Sequence, residues 1–326
     1  MITIPENKSP ILACNKEALE TLYGLKHISF SSLRIWLECP HKFKLTKMGL
    51  SEEEIIILAD MVKLSVDELG EMIKEFEFNG NIHTGFGTAI HYTNEMGFKL
   101  YKDTGRKPSE AFSIEVYKAS FESEMDKLEK LGMDISEKEI FYEQGLNMVP
   151  KIMPAVFDYV GDDLEVVDIE MDLDTMFTGY LYDDVLTTKL SKLLPFKGFI
   201  DLVLYSPSKN KYYIFDWKTC SWGWGKDKKQ NFNYLIQLIL YKYYFAKRMG
   251  FDEKMFRKIE LDFVLLKRTV VKKPVEFFKV SAGEKTIRKA LDKVNRLCFN
   301  LENKKYMKNR LDCHWCPAKG TALCRK

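Results

Sequence analysis

Two neighbouring strand-like segments each carry a carboxylate among apolar residues, and this feature most limits the folds open to the chain. The segments read Gly198-Phe-Ile-Asp201-Leu-Val and Ile214-Phe-Asp216-Trp-Lys218-Thr. A buried, ionised carboxylate is costly unless it is paired or binds a cation. Because side chains alternate along a strand, Asp216 and Lys218 lie on one face, about 7 Å apart. We therefore expect the two strands to pair, so that Asp201 converges on the same point.

The hydrophobic pattern around these segments predicts an α/β protein with an N-terminal helical elaboration. Capping residues and apolar periodicity predict helices over 29–39, 108–131, 136–159, 231–249 and 282–303, a helical pair over 51–78, and a turn at 85–91 that leads into a helix ending near 101. Runs of β-branched and aromatic residues predict strands over 164–173, 198–205, 212–217, 259–271 and 275–280. We expect one elaborated domain, with a helical region 1–163 and a core 164–326.

Composition excludes several classes of protein. With 46% hydrophobic residues, the chain has enough apolar material for a large core. The longest apolar run, Ile55 to Ala59, is much shorter than the roughly 20 residues of a membrane-spanning helix. The first residues also lack the pattern of a signal peptide. We therefore expect a cytoplasmic protein without a membrane span.

Charge is distributed unevenly along the chain. Residues 1–208 hold 21 basic and 36 acidic side chains, whereas residues 209–326 hold 29 basic and 11 acidic ones. Such asymmetry favours a polyanionic partner for the C-terminal third. Basic helix faces that only keep the protein in solution are the competing interpretation.

Three of the seven cysteines crowd the C-terminus in the pattern Cys313-x2-Cys316-x7-Cys324. Three thiolates at this spacing can reach one centre, but they leave a tetrahedral site one ligand short. A distant residue must complete such a site, and Cys39, which ends the helix predicted over 29–39, is the candidate.

The strand carboxylates suit phosphodiester hydrolysis. Two carboxylates, an imidazole and water molecules form the oxygen-rich donor set that Mg²⁺ or Mn²⁺ prefers. The ammonium of Lys218 can orient a water molecule or stabilise developing charge on phosphorus. An isolated Asp-x-Lys pattern is more often an ordinary ion pair, so the specificity of this signal must come from other motifs.

The other motifs are present in order. Gly198-x-x-Asp201, Asp216-x-Lys218 and Gln237-x-x-x-Tyr241 resemble the PD-(D/E)xK nuclease superfamily, and specifically its RecB-like branch. The resemblance implies a restriction-endonuclease-like core, in which a mixed central sheet is flanked by helices. It also implies a Mg²⁺ or Mn²⁺ site with ligands His91, Asp201 and Asp216, catalysis by Lys218, and Gln237 and Tyr241 on one helix face beside the site. Glu170 matches an acid upstream of the Gly-x-x-Asp motif and is either outer-sphere or structural.

The cysteine pattern resembles the iron–sulfur subset of the same branch, which includes AddB-type, CRISPR-associated and exonuclease V-like nucleases. In that subset, one N-terminal and three C-terminal cysteines bind a [4Fe-4S] cluster. The resemblance thus implies a structural cluster held by Cys39, Cys313, Cys316 and Cys324, although the usual final spacing is x5 rather than x7. A four-cysteine zinc site is the alternative.

A tryptophan- and lysine-rich segment begins at Ser221, three residues after Lys218. Indoles can stack on unpaired bases and lysines can attract the phosphate backbone, so this segment is predicted to bind the substrate. Packing of both indoles as a local core is the competing interpretation. The residues concerned are Trp222, Trp224, Lys226, Lys228 and Lys229.

These observations predict a metal-dependent DNA nuclease, most simply an exonuclease that acts on single-stranded DNA or free ends in recombination, repair or phage DNA processing. A non-catalytic DNA-binding subunit, stabilised by an iron–sulfur cluster or zinc within a larger helicase-nuclease or CRISPR-type complex, is the alternative. The chain has no Walker A loop, so a helicase or recombination protein is a candidate partner.

Overall fold

A computed structural model describes residues 25, 27–48, 51–74, 80–173, 176–177, 195–309, 313, 316, 318–321 and 323–324. The chain divides into two compact units. The first unit comprises Met1–Asn7, Asn79–Leu173 and Gly198–Ile287, and the second comprises Lys8–Phe78, Asp174–Lys197 and Arg288–Lys326. The division into 1–163 and 164–326 stays a prediction.

Helices make up most of the described chain up to Val160, and most of the strands follow after that residue. The helices are α1 (Phe30–Glu38), α2 (Pro40–Phe43), α3 (Glu52–Val62), α4 (Val66–Lys74), α5 (Ile82–Thr104), α6 (Glu110–Lys130), α7 (Lys138–Val160), α8 (Lys226–Gln230), α9 (Phe232–Arg248), α10 (Glu253–Phe256) and α11 (Glu284–Glu302). The strands are β1 (Ile28–Ser29), β2 (Glu165–Asp172), β3 (Met176–Phe177), β4 (Pro195–Lys197), β5 (Phe199–Ser206), β6 (Lys211–Cys220), β7 (Ile259–Lys267) and β8 (Val275–Lys279).

A mixed five-stranded sheet forms the centre of the first unit. Its strand order is β2-β5-β6-β7-β8. The pairs β2–β5, β5–β6 and β7–β8 are antiparallel, while β6 and β7 are parallel. A parallel pair needs a crossover connection, and helix α9 supplies it. The predicted α/β class, with a mixed central sheet flanked by helices, is confirmed.

Three long helices, α5, α6 and α7, pack with one face of this sheet in the hydrophobic core. Phe215 and Trp217 of β6 alternate with Asp216 and contribute to that core, together with residues such as Phe86 of α5. Because side chains alternate along a strand, this packing leaves Asp216 and Lys218 on the opposite face. The helices thus fix which face of β6 carries the charged residues.

Helix α5 differs from its prediction. Residues 85–91 were expected to form a turn, but the helix begins at Ile82, after an Asn81 N-cap whose side chain accepts a hydrogen bond from the Thr84 backbone. The two glycines are inside the helix because it packs closely. A Cβ on Gly85 would lie 2.9 Å from the Met125 side chain, and one on Gly87 would lie 3.3 Å from Oγ1 of Thr219.

The other predicted elements appear with shifted ends. The helical pair over 51–78 is present as α3 and α4, and the strand expected over 212–217 extends to Cys220. The strand expected over 259–271 stops at Lys267, where a turn leads to β8. No helix in the described part of the chain is long and apolar enough to cross a membrane.

The second unit contains a three-stranded sheet, in the order β1-β4-β3, and a small apolar cluster. The cluster joins Leu45, helices α3 and α4, and the C-terminal residues Ala318 and Leu323. The N-terminal helices are also tied to the C-terminal segment by hydrogen bonds. The backbone N–H of His41 donates to the Met307 carbonyl at 3.2 Å, and Nε2 of His41 lies 3.0 Å from the Leu323 carbonyl oxygen.

Candidate active site and cysteine cluster

Asp201 and Asp216 lie at the same end of the antiparallel β5–β6 pair. The register ends with Leu202 opposite Phe215, so each acid is the next residue of its strand beyond the last pair. The Trp217 backbone N–H donates to Oδ2 of Asp201 at 2.7 Å. Burial raises the pKa of each carboxyl group to about 6, which shows that both charges lack full compensation.

Lys218 is the nearest cation to this pair among the described residues. Its Nζ lies 2.5 Å from Oδ2 of Asp216, which is only 1% exposed. The lysine side chain itself is 34% exposed. Asp216 therefore anchors an ammonium group that remains accessible from solvent.

His91 lies on the α5 side of the same carboxylates. Its Nε2 is 3.0 Å from the Trp217 carbonyl oxygen, and its Nδ1 is 3.6 Å from Oδ2 of Asp201. Burial, together with the nearby Lys218 charge, lowers the pKa of His91 to about 4, so the ring is neutral at pH 7. A carbonyl can only accept, so Nε2 carries the hydrogen and donates to it. The unprotonated Nδ1 is then the nitrogen available to a metal ion.

Glu170 lies opposite Asp201 on β2, since its neighbours Ile169 and Met171 pair with Leu202 and Ile200. Its backbone has a φ of +50°, in the left-handed region that non-glycine residues rarely adopt. Such a conformation typically costs about 1–3 kcal/mol and is concentrated at functional sites. Burial, followed by the charge of Asp201, raises the pKa of Glu170 to about 7.

His91, Glu170 and Asp201 form a donor group that fits a divalent metal ion. One ligand atom from each residue lies within 4.8 Å of the other two. Donors that surround Mg²⁺ at about 2.1 Å are separated by about 3–4 Å, so the spacing is suitable. The sequence predicted Asp216 as a ligand and left Glu170 open. The structure brings Glu170 into the group, while Asp216 lies beneath Lys218.

Gln237 and Tyr241 lie one turn apart on α9, as their spacing predicts. Both side chains are buried, and Nε2 of Gln237 donates to the Tyr241 hydroxyl at 3.0 Å. Burial and then the charge of Asp216 hold the pKa of Tyr241 well above its usual value. The phenol therefore stays protonated beside the carboxylates.

Two charged residues of α5 that influence the pKa of Glu170 were not predicted from the sequence. Glu95 and Lys99 follow His91 at intervals of four residues, and they form an ion pair. The charge of Glu95 raises the pKa of Glu170, whereas that of Lys99 lowers it. The spacing of 91, 95 and 99 along one helix face was the signal that could have found them.

The four cysteines predicted as cluster ligands all belong to the second unit. The backbone N–H of Asn309 donates to Sγ of Cys39 at 3.4 Å, and Sγ of Cys313 donates to the Asn309 carbonyl at the same distance. Cys316 and Cys324 pack against the small apolar cluster. Burial raises the pKa of the Cys324 thiol, and the other three cysteines add to this shift.

The tryptophan- and lysine-rich segment divides into two environments. Trp222 is 78% exposed, whereas Trp224 is buried with its ring 4.9 Å from that of Phe263. Lys228 covers the Trp224 ring, and Lys229 forms an ion pair with Glu276 at 2.6 Å. The expectation that both indoles are accessible is therefore met by Trp222 alone, because Phe263 provides a pocket for Trp224. Lys226 is exposed.

Comparison with known proteins identifies the family. A family model described as the PD-(D/E)XK nuclease superfamily matches residues 27–325. The chain belongs to this superfamily, as its motifs predicted. No curated protein sequence matches the chain. The crystal structure of a "putative exonuclease" from Eubacterium rectale is similar at 12% identity and a TM-score of 0.45, with 97% of this chain and 93% of that chain covered.

Proposed function

We propose that the chain is a metal-dependent DNA nuclease that removes nucleotides from single-stranded DNA or free ends, in recombination, repair or phage DNA processing. The observation that carries the proposal is the convergence of His91, Glu170 and Asp201 beside the Asp216–Lys218 pair. An ordinary structural ion pair would not need three further metal-type donors around it. A Mg²⁺ or Mn²⁺ ion held there, with Asp216 as a further candidate ligand, would neutralise a phosphate and lower the pKa of a water molecule.

The residues of the chain have distinct roles in this proposal. His91 offers Nδ1 because its other nitrogen donates to the Trp217 carbonyl. Asp216 holds the ammonium of Lys218, which can orient the attacking water molecule and stabilise charge that develops on phosphorus. Tyr241 and Gln237 keep protonated donors beside the carboxylates. A decayed, DNA-binding relative would not need to retain all of these groups.

We further propose that Cys39, Cys313, Cys316 and Cys324 hold a [4Fe-4S] cluster, as in the iron–sulfur branch that the sequence resembles. The support is the contacts of Asn309 with both Cys39 and Cys313, and the packing of Cys316 and Cys324 against one apolar cluster. Because the cluster would join α1 to the C-terminal segment, it would act structurally. Zinc is the competing metal for the same four ligands.

The test of nuclease activity uses anaerobically purified protein and end-labelled DNA. We expect release of label from single-stranded DNA with Mg²⁺ or Mn²⁺ and none with EDTA. Asp201→Asn should be inactive, whereas Asp168→Asn, which changes a carboxylate on β2 outside the donor group, should stay active. Cleavage that persists in EDTA, or an active Asp201→Asn protein, would reject the proposed site.

A further inference from the structure

Trp222 is the most exposed large hydrophobic side chain among the described residues, at 78%. Tryptophan is usually largely buried, because its ring removes about 150–250 Å² of surface from water. An indole left in solvent is therefore costly and needs a reason. Trp224, only two residues away, shows that this part of the fold can bury an indole.

The backbone on both sides of Trp222 is held firmly. Before it, the Ser221 carbonyl accepts hydrogen bonds from the backbone N–H and the hydroxyl of Thr269, at 3.0 and 2.7 Å. The Arg268 guanidinium donates to Oγ of Ser221 at 3.0 Å. After it, Gly223 adopts a φ of +117°, and the chain then enters the buried Trp224. The exposed ring thus projects from a backbone segment that is anchored on both sides and not from a loose loop.

The position of this backbone segment and the charges of its neighbours suit the binding of a nucleic acid. Trp222 follows Lys218 by four residues, so their Cα atoms are at most about 14 Å apart. Exposed lysines lie in both segments that meet at Ser221: Lys226 follows Trp222 in the chain, and Lys272 and Lys273 belong to the β7–β8 connection whose Thr269 binds Ser221. Among the nearby acids, Glu276, whose carboxylate lies near Gly223, already forms ion pairs with Lys229 and Lys267, and Asp227 is exposed between Lys226 and Lys228.

An indole can stack only on a base whose face is not covered by a neighbouring base. Within a duplex all faces are covered except at the ends, whereas every base of a single strand can be splayed out. Stacking of this kind tolerates any sequence. Resting on the proposed nuclease function, we propose that Trp222 is the stacking platform for an unpaired base of the DNA strand that enters the active site, and that it gives the protein its preference for single strands.

Equilibrium binding without turnover tests this proposal. The probes are fluorescent oligothymidylate and an internally labelled long duplex, in which the ends are a small fraction of the bases, in metal-free buffer. Trp222→Ala should weaken oligothymidylate binding about 5- to 150-fold, while Trp222→Phe should retain most of it. Duplex binding should change less than twofold. Leu131→Ala removes another exposed apolar side chain, 59% exposed, elsewhere in the first unit and should change neither affinity.

The other outcomes of these measurements also support or reject the stacking proposal. Thermal melting should be unchanged in Trp222→Ala, because the ring contributes little to the core. If this folded variant binds oligothymidylate like the wild type, or loses duplex affinity to the same degree, the stacking platform is rejected. Binding is measured without cleavage, so the two proposals can fail independently. A wild-type protein that binds single strands but cuts no DNA would reject the proposed nuclease function, while the binding data would still test the role of Trp222.

Discussion

Replacement of Glu170 by glutamine should separate a metal ligand from a structural acid. The pKa of Glu170 is raised to about 7 from an ordinary value near 4.5. The folded protein therefore binds this proton more tightly than the unfolded chain, and the metal-free protein loses stability as pH rises between these values. Above pH 7 the ionised carboxylate is destabilising, and Glu170→Gln removes that charge.

The magnitude follows from the pKa shift. Each pKa unit corresponds to about 1.4 kcal/mol, so the rise from 4.5 to about 7 gives an upper bound of roughly 3.5 kcal/mol. Because the side chain is partly exposed, screening reduces this to about 1–2 kcal/mol. At pH 8 without metal, we expect Glu170→Gln to melt about 2–6 °C higher than the wild type.

The metal should reverse this order. Saturation of a site at 100 times its dissociation constant stabilises a protein by about 2.7 kcal/mol. Mn²⁺ should therefore raise the melting temperature of the wild type and affect Glu170→Gln much less, and cleavage should be lost. Glu165→Gln, at the exposed end of the same strand, is the control and should resemble the wild type. Equal stabilisation of both variants by Mn²⁺, or a metal-free Glu170→Gln protein that melts below the wild type, would refute the reasoning.

Three further predictions concern other parts of the molecule. Lys218→Ala should abolish cleavage and lower the free energy of unfolding by about 3–5 kcal/mol, because Asp216 is left buried without its cation; adding Asp216→Asn should restore most of the stability but no activity, as measured by urea unfolding and DNA cleavage. The anaerobically purified protein should contain about four iron atoms and absorb broadly near 400 nm. Both features should be lost in Cys324→Ser and kept in Cys220→Ser. Stoichiometric zinc without iron would show that the four cysteines hold zinc and not an iron–sulfur cluster. Gly145→Ala should destabilise the protein by about 1–3 kcal/mol, because the new Cβ would lie 2.0 Å from the Tyr117 ring; Gly70→Ala, with no atom within 4 Å, should be neutral or stabilising.

The sequence predicted the parts of the site that depend on local alternation. A carboxylate in the apolar run of each strand is enough to predict that β5 and β6 pair and that Asp201 and Asp216 share a face. The features that the sequence could not predict depend on tertiary contacts. Gly85 and Gly87 were expected to form a turn, because a glycine that permits close packing is identical in sequence to one that ends a helix. Trp222 and Trp224 differ only in that Phe263 lies against one of them.

Local sequence patterns could not predict the short strands or the backbone conformation of Glu170, and the reason is related. Strands β1, β3 and β4 have only two or three residues, so they are defined by their pairing and not by periodicity. The left-handed backbone at Glu170 depends on both flanking residues keeping their register with β5. Neither property is encoded within a window of neighbouring residues.

The donors of the proposed metal site come from three separate elements, α5, β2 and β5, and the Trp217 carbonyl that orients His91 is 126 residues further along the chain. A growing polypeptide on the ribosome therefore has no complete site until β6 has been synthesised and has paired with β5. Fragments released by early termination or proteolysis upstream of that strand would carry the histidine and two acids without the group that orients them. For an enzyme that would degrade nucleic acid, this arrangement makes the capacity to cut a property of the finished fold alone.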